Sequence, residues 1–186
     1  VAYIKKFSAD TYLQTNLFYL LNNDQIHNSV SNPEYRNVVD TDIYGFELEY
    51  KGNISSVDEL YLNYSYVDGK SYTQDEGRSE SIPNVAHHLA KGYYVYNLNS
   101  DLSLSGVVKY VGSKDRVFGD TREKVKAYSS VDSSLYYKDP RYNYCVTLSI
   151  KNMFNTSITY PSPPNTYIED YAQEGRTFLV TLKKEF

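Results

Sequence analysis

The chain has 186 residues, a net charge of −4 and 22 Tyr residues, whereas Trp is absent and Cys and Met occur once each. The single Cys145 excludes a disulfide framework, and the lack of a basic stripe gives no reason to expect a nucleic acid partner. No run of about 18 apolar residues occurs, which excludes a transmembrane helix, while so many amphipathic rings suit strands at a boundary between membrane and water.

Apolar and polar residues alternate with a period of two along the chain, so the sequence predicts an all-β fold. The alternation is clearest where Tyr144, Val146 and Leu148 share one face of a predicted strand. In chain order we predict about eight strands, each long enough to cross a membrane at a tilt, near 11–25, 36–51, 57–67, 82–97, 100–113, 126–138, 142–154 and 174–186. Residues 1–7 are predicted to be the tail of a preceding strand.

The predicted connections alternate in length. Tight turns at 52–56, 98–99 and 139–141 take turns with long polar loops at 28–35, 68–81, 114–125 and 155–173. Short periplasmic turns on one rim and long extracellular loops on the other are typical of antiparallel transmembrane β-barrels. A soluble β-sandwich also has alternating strands, but it has no reason to sort its loops by length.

The last predicted strand ends in an aromatic residue. One of its faces carries four apolar residues, Phe178, Val180, Leu182 and Phe186. Such a strand resembles the signal by which the barrel assembly machinery recognises outer-membrane proteins, although an ordinary last strand can also end in Phe. The first residue is Val1 and no signal peptide follows it, so we interpret the N-terminus as a cut within a longer chain.

Several short motifs occur in the order found in one family. The segment 43–49 (IYGFELE) resembles the Gly-aromatic-Glu strand of TonB-dependent outer-membrane receptors, and 63–66 (NYSY) resembles the strand that follows it. Residues 82–87 (IPNVAH), 150–154 (IKNMF) and 175–178 (GRTF) are similar to the Ile-Pro-Asn segment, the Asn-Leu-Phe motif and the final strand of that family. The match covers nearly the whole chain, with Met153 in place of the usual Leu and Lys184 where an aromatic residue is common.

The resemblance implies that residues 1–186 are the C-terminal part of a barrel of about 22 strands, whose lumen is filled by an N-terminal plug absent from this chain. Such receptors bind a scarce, bulky nutrient. A ferric siderophore or another iron complex is the expected ligand, with haem and cobalamin as alternatives. The TonB–ExbB–ExbD system pulls on the plug to admit the ligand.

The resemblance also implies a location in the bacterial outer membrane, in contact with lipid and lipopolysaccharide. It implies neither an enzymatic activity nor a cofactor, in agreement with the absence of a phosphate-binding loop and a nucleophile elbow from the sequence. Two other interpretations stay open at this point. One is a small complete outer-membrane barrel with a structural or adhesive role, and the other is a soluble β-sandwich that binds a partner.

Candidate ligand groups lie in or beside the predicted outer loops. Arg116 and Arg122 could attract an anionic ferric complex. The acidic residues that interleave with the basic ones of this loop favour a self-paired loop instead: Asp115, Asp120 and Glu123. Three further candidates in the last loop could stack against an aromatic chelator or simply cover the rim: Tyr160, Tyr167 and Tyr171. His27, beside the loop 28–35, is a candidate haem or metal ligand or a solvated side chain.

The other polar residues of interest are expected to be structural. His87 and His88 are neighbours whose side chains leave opposite faces, so they cannot hold one metal ion together. Cys145 is expected to be a small residue on the lumen side. Four charged residues share the predicted lumen faces, where they would hydrogen-bond the plug and its water: Glu47, Glu49, Asp132 and Lys151.

Overall fold

A computed structural model describes residues 1–27, 34–55, 58–164 and 166–184 of the chain. Its strands are β1 (Ala2–Lys6), β2 (Tyr12–His27), β3 (Arg36–Asn53), β4 (Asp58–Thr73), β5 (Arg78–Ser81), β6 (His88–Asn97), β7 (Leu102–Val111), β8 (Tyr128–Asp139), β9 (Tyr144–Lys151), β10 (Thr159–Tyr160), β11 (Tyr171–Ala172) and β12 (Thr177–Lys184). One 3₁₀ turn, Gln74–Glu76, joins β4 to β5. No helix in these ranges is long and apolar enough to cross a membrane.

The strands form one antiparallel sheet in the order β1-β2-β3-β4-β6-β7-β8-β9-β12, with β5 paired to β4. The short hairpin of β10 and β11 follows β9 in the chain and precedes β12, and it is not part of this sheet. The alternating sequence pattern sets the register: Leu148 of β9 lies between Leu135 of β8 and Val180 of β12. The sheet is a long meander, which confirms the predicted all-β antiparallel fold and the predicted strand tail at 1–7.

One face of the sheet, here called the apolar face, is lined by large apolar side chains that are 37–75% exposed. The register places seven of them on this face: Leu17, Leu48, Leu62, Leu104, Val108, Leu148 and Val180. Among the described residues, only Val38, Val39, Ala86 and Val125 are buried apolar residues. The sheet therefore has almost no core of its own, and its apolar face needs a partner other than water.

The opposite face, here called the polar face, is crossed by hydrogen bonds between strands. The phenols of Tyr12 and Tyr61 donate to the Glu49 carboxylate at 2.6 and 3.0 Å. Lys109 Nζ donates to Asp132 at 2.9 Å, and the Tyr136 hydroxyl donates to Cys145 Sγ at 3.1 Å. The predicted division of side chains between the two faces is thus confirmed.

The predicted loop at 68–81 is wrong. Strand β4 continues to Thr73, which pairs with Val39 of β3 and with Arg78 of β5, so this segment is a hairpin within the sheet. Gly77 closes the turn with a φ of 58°, a left-handed value that suits Gly. Between Asp68 and Ser71 no large apolar side chain marks either face, so the period of two gives no signal for the end of this strand.

Several predicted strand ends are also shifted. The strand predicted at 82–97 begins only at His88, because Pro83 cannot donate to a ladder and Asn84 has a φ of 63°. The strand predicted at 142–154 ends at Lys151, since Asn152 has a φ of 47°. The strand predicted at 126–138 becomes Tyr128–Asp139, and the one predicted at 174–186 begins at Thr177, with its last two residues outside the described ones. Most of the predicted loop at 28–35 lies outside the described residues.

Candidate functional site

The long connections collect at one end of the sheet, here called the long-loop rim. Loops 112–127 and 152–176 lie there beside the β4–β5 hairpin, whereas short turns at 7–11, 98–101 and 140–143 occupy the opposite end, the short-turn rim. The predicted sorting of loops is therefore confirmed for the described segments. The candidate residues of the loops therefore lie at the long-loop rim.

Arg116 joins the two long loops. Its Nη1 and Nη2 donate to the two carboxylate oxygens of Asp170 at 2.9 and 2.7 Å, and its Nε donates to the carbonyl oxygen of Glu123 at 2.5 Å. The Arg116 side chain is only 9% exposed. This is the two-point geometry in which Arg binds a carboxylate most strongly.

Arg122 makes a second connection between the same loops. It donates through Nη2 to Asp120 at 2.6 Å, and through Nη1 and Nη2 to the hydroxyl and carbonyl oxygens of Ser162 at 2.8 and 2.9 Å. The hydrogen bonds from Arg122 lower the pKa of Asp120 to about 2, and those from Arg116 lower the pKa of Asp170. These five residues, Arg116, Asp120, Arg122, Ser162 and Asp170, are here called the rim clasp.

The β4–β5 hairpin is tied to this assembly as well. The guanidinium of Arg78 lies 3.6 Å from the centroid of the Phe118 ring, and the backbone amide of Asn84 donates to the carbonyl oxygen of Asp115 at 2.7 Å. A stacked Arg is a favourable cation–π contact. All three outer segments of the described chain are therefore connected to one another.

The three candidate tyrosines lie together on and beside the β10–β11 hairpin. Tyr160 and Tyr171 are paired across it, and the rings of Tyr167 and Tyr171 stack with centroids 5.8 Å apart. Lys114 Nζ lies 5.0 Å from the Tyr160 ring centroid. The rings are 42–53% exposed, so each keeps a free surface for a ligand.

An open cleft of about 360 Å³ separates the two long loops beside the rim clasp. Asp120 and Arg122 line one wall, and Tyr167 and Ile168 line the other. The side chain of Ile168 is 90% exposed. The cleft thus combines a paired cation with aromatic and aliphatic surface, a combination that suits a bulky ligand with planar or anionic groups.

The histidines are placed apart. His87 Nδ1 donates to the carbonyl oxygen of Val67 at 2.9 Å, whereas His88 Nδ1 is hydrogen-bonded to the Tyr64 hydroxyl at 2.7 Å. The described residues contain no group of three or more His, Cys, Asp or Glu side chains that could hold a metal ion. His27 is the last residue of β2, opposite Arg36, and its side chain lies outside the described set.

The proposed insertion signal is exposed on the apolar face. Phe178, Val180 and Leu182 of β12 are 68%, 75% and 70% exposed, and Phe186 lies outside the described residues. Their shared orientation agrees with the predicted period of two.

Two residues of the last loop were missed as organising groups. Asn152 is buried, its Nδ2 donates to the carbonyl oxygen of Thr156 at 2.9 Å, and its Oδ1 accepts the Thr156 amide at 2.9 Å. Asn155 also has a left-handed φ, and its Oδ1 accepts a hydrogen bond from the backbone amide of Arg176, the residue before β12. The Asn residue of the motif at 150–154 could have indicated this role, since Asn is one of the few residues that tolerate a left-handed φ.

Comparisons with known proteins agree with this geometry. The sequence matches the family model for the TonB dependent receptor-like β-barrel over residues 3–155. No curated protein matches it significantly. The structure resembles the closed form of the ferric-catecholate import receptor Fiu from E. coli K12, with a TM-score of 0.77, 21% identity, and coverage of 95% of this chain and 25% of Fiu.

Two further solved structures are similar. The ferric yersiniabactin uptake receptor FyuA from Yersinia pestis has a TM-score of 0.76 at 21% identity, with 94% of this chain and 27% of FyuA covered. The siderophore receptor PiuA from Acinetobacter baumannii has a TM-score of 0.72 at 19% identity, with 93% of this chain and 26% of PiuA covered. The chain spans about a quarter of these proteins, and identities this low show a shared fold. By the match of its sequence to the family model, the chain belongs to the TonB-dependent receptor-like β-barrel family.

Proposed function

We propose that this chain forms the C-terminal wall and part of the outer loops of an outer-membrane receptor that imports an iron complex, such as a ferric siderophore, in a TonB-dependent step. The observation that carries the proposal is the two-faced sheet of a TonB-dependent receptor barrel, with clasped loops on one rim only. The solved structures with the same fold include receptors named for ferric-catecholate, ferric yersiniabactin and siderophore uptake.

The two faces support a position in a membrane. The apolar face exposes residues such as Leu104 and Val180, at 45% and 75%, which is costly in water and favourable against lipid. The polar face would then line the lumen, where Glu49 and Asp132 would contact the plug or water. The long-loop rim would lie outside the cell, and the missing plug would connect the receptor to TonB.

The sheet edges support a larger barrel. In the described residues β1 and β12 lie at opposite ends of the sheet and are not paired with each other. A small complete barrel needs that pairing, because unpaired backbone groups are not tolerated in lipid. A β-sandwich needs a second large sheet over the apolar face, and the described residues supply only the β10–β11 hairpin.

We place ligand contact at the cleft beside the rim clasp. Arg122 and Tyr167, whose ring stacks on that of Tyr171, offer charge and planar surface there. Arg116 is nearly enclosed by Asp170 and Glu123, so it would position the loops rather than touch the ligand. Haem and cobalamin are alternative cargoes, and a role for His27 in binding haem stays a prediction.

The test is uptake by living cells. The full-length gene is deleted, and import of radioactive iron bound to a catecholate, a hydroxamate or haem is measured with and without functional TonB. Loss of uptake of one iron complex, restored by the intact gene only when TonB is functional, supports the proposal. Unchanged uptake of all iron complexes, together with an unchanged TonB-dependent response to cobalamin, would overturn it.

A further inference from the structure

The long-loop rim is the acidic end of the chain. Four segments belong to it, which comprise strand ends and loops at 22–42, 68–81, 112–127 and 152–176. Together they contain nine Lys and Arg residues against 14 Asp and Glu residues, a net charge of −5, whereas the whole chain has a net charge of −4. The negative charge of the chain is therefore concentrated at the end where a ligand would arrive under the proposed function.

The basic side chains of loop 112–127 are balanced by carboxylates. This loop is the one segment of the four with more basic than acidic residues. Its Arg116 donates to both carboxylate oxygens of Asp170 in the other long loop, and Lys124 Nζ lies 2.6 Å from a carboxylate oxygen of Asp115. Paired charges of opposite sign cancel at a distance, so the loop presents little net positive charge to an approaching ligand.

Arg122, which lines the cleft, has no free hydrogen-bond donor. A guanidinium carries five N–H groups. Nε of Arg122 donates to Asp120 at 2.9 Å, and Nη2 donates to Asp120 at 2.6 Å and to the carbonyl oxygen of Ser162 at 2.9 Å. Nη1 donates to the Ser162 hydroxyl at 2.8 Å and to the carbonyl oxygen of Tyr167 at 3.4 Å. An anionic ligand group would have to displace one of these acceptors before Arg122 could bind it.

The carboxylates of the rim clasp keep their charge. The hydrogen bonds from Arg122 lower the pKa of Asp120 to about 2, and those from Arg116 lower the pKa of Asp170. Both carboxylates are therefore ionised at neutral pH, and they balance the two guanidinium groups. The exposed surface of the cleft is largely uncharged, since the ring of Tyr167 is 53% exposed and the side chain of Ile168 is 90% exposed.

We propose that the iron complex taken up at this cleft carries no net negative charge, as in a ferric trihydroxamate, where three singly charged hydroxamates balance iron(III). This inference rests on the proposed function and narrows it to one class of iron complex. A ferric triscatecholate carries a large negative charge, so the acidic rim would repel it and the cleft would offer it no free cationic donor. The organic shell of a neutral complex would instead pack on Tyr167 and Ile168.

The sign of the salt dependence tests the proposal. Association of a ferric trihydroxamate and of a ferric triscatecholate with the full-length receptor in vesicles is measured at ionic strengths from about 0.01 to about 1 M, over which the Debye length falls from about 30 to about 3 Å. We expect the trihydroxamate to associate about tenfold faster at low salt, at a rate that salt leaves unchanged. The triscatecholate rate should rise with salt, because salt screens the repulsion. A triscatecholate rate that falls as salt is added would overturn the proposal.

Asp120→Asn changes the charge at the cleft with little change of shape. It leaves Arg122 unbalanced, so we expect triscatecholate association at low salt to increase several-fold and trihydroxamate association to change much less. Heat-modifiable gel mobility shows that the variant is folded. Asp101→Asn, in the short turn 98–101 at the opposite rim, makes the same charge change and should alter neither rate. Equal triscatecholate rates in the two variants would overturn the proposal.

Failure of this assignment is distinguishable from failure of the transport function. TonB-dependent uptake of the triscatecholate in preference to the trihydroxamate would overturn the assignment and leave the proposed function standing. Binding of neither complex would overturn the assignment as well. Absence of uptake of every iron complex in the assay with living cells would overturn the proposed function, and the assignment with it.

Discussion

The Arg116–Asp170 pair is predicted to hold the two long outer loops together. The pair has two hydrogen bonds of 2.9 and 2.7 Å, and its side chains are 9% and 15% exposed. Exposed ion pairs contribute roughly 0.2–1 kcal/mol, while breaking a fully buried pair costs roughly 3–5 kcal/mol. We expect a coupling free energy of about 1.5 kcal/mol, because Arg122 lies 3.8 Å from Asp170 and compensates in part.

A double-mutant cycle in the full-length receptor measures this coupling. Arg116→Ala, Asp170→Ala and the double variant are compared by hydrogen exchange of peptides covering 157–173. A coupling of about 1.4 kcal/mol corresponds to about a tenfold change in the opening equilibrium. Arg141→Ala, in a short turn at the opposite rim, is the control. Unchanged exchange in Arg116→Ala, or strict additivity of the two single changes, would refute this account of the rim clasp.

Four more predictions follow from the structure. Gly45→Ala should impair barrel assembly, since the added Cβ would lie 2.6 Å from the Phe18 ring and against a backbone carbonyl oxygen. Gly106→Ala should assemble normally, because a Cβ there meets nothing within 4 Å, and heat-modifiable gel mobility distinguishes the two variants. Asn152→Ala should lower the free energy of unfolding by about 1–2 kcal/mol, and Asn152→Gly should lower it by less, because Gly adopts a left-handed φ without strain. Equal thermal unfolding midpoints for the two variants would contradict this. The pKa of Asp120 is lowered to about 2 from 3.8, so its stabilising charge is fully present above about pH 4 and is lost as the pH falls through about 2. Hydrogen exchange of the amides in the two long loops, corrected for intrinsic rates, should therefore not change between pH 8 and pH 5. Residues 1–186 expressed alone should aggregate in water, because the apolar face stays uncovered, and a monodisperse soluble monomer would contradict this.

The strands were predictable because most of them carry apolar side chains on one face and polar side chains on the other, which produces a period of two in the sequence. Leu148 and its alternating neighbours identified β9 and its two faces before any contact was known. The same reasoning failed at 68–81, where mostly polar residues, without an apolar face to mark them, form the β4–β5 hairpin of the sheet. Strand ends depended on single residues such as Asn152, whose left-handed φ stops β9 early.

The site was less predictable than the fold. Arg116 and Arg122 could be selected as charged loop residues, but Asp170 is 54 positions from Arg116, and only the folded loops show that they pair. The family itself was recognised from its motifs, and its members are transporters and not enzymes.

The membrane position of the two faces is the central claim, and spin-label accessibility tests it most directly. Single labels are placed at Leu104, Ser105, Leu148 and Ser149 in the full-length receptor in lipid vesicles, with Cys145 replaced by Ser. We predict that labels at the two Leu positions collide mainly with oxygen dissolved in lipid, and that labels at the two Ser positions collide mainly with a water-soluble nickel chelate or are shielded from both. Equal exposure of all four labels to the nickel chelate, or a reversed pattern, would contradict the placement of this sheet as the wall of an outer-membrane barrel.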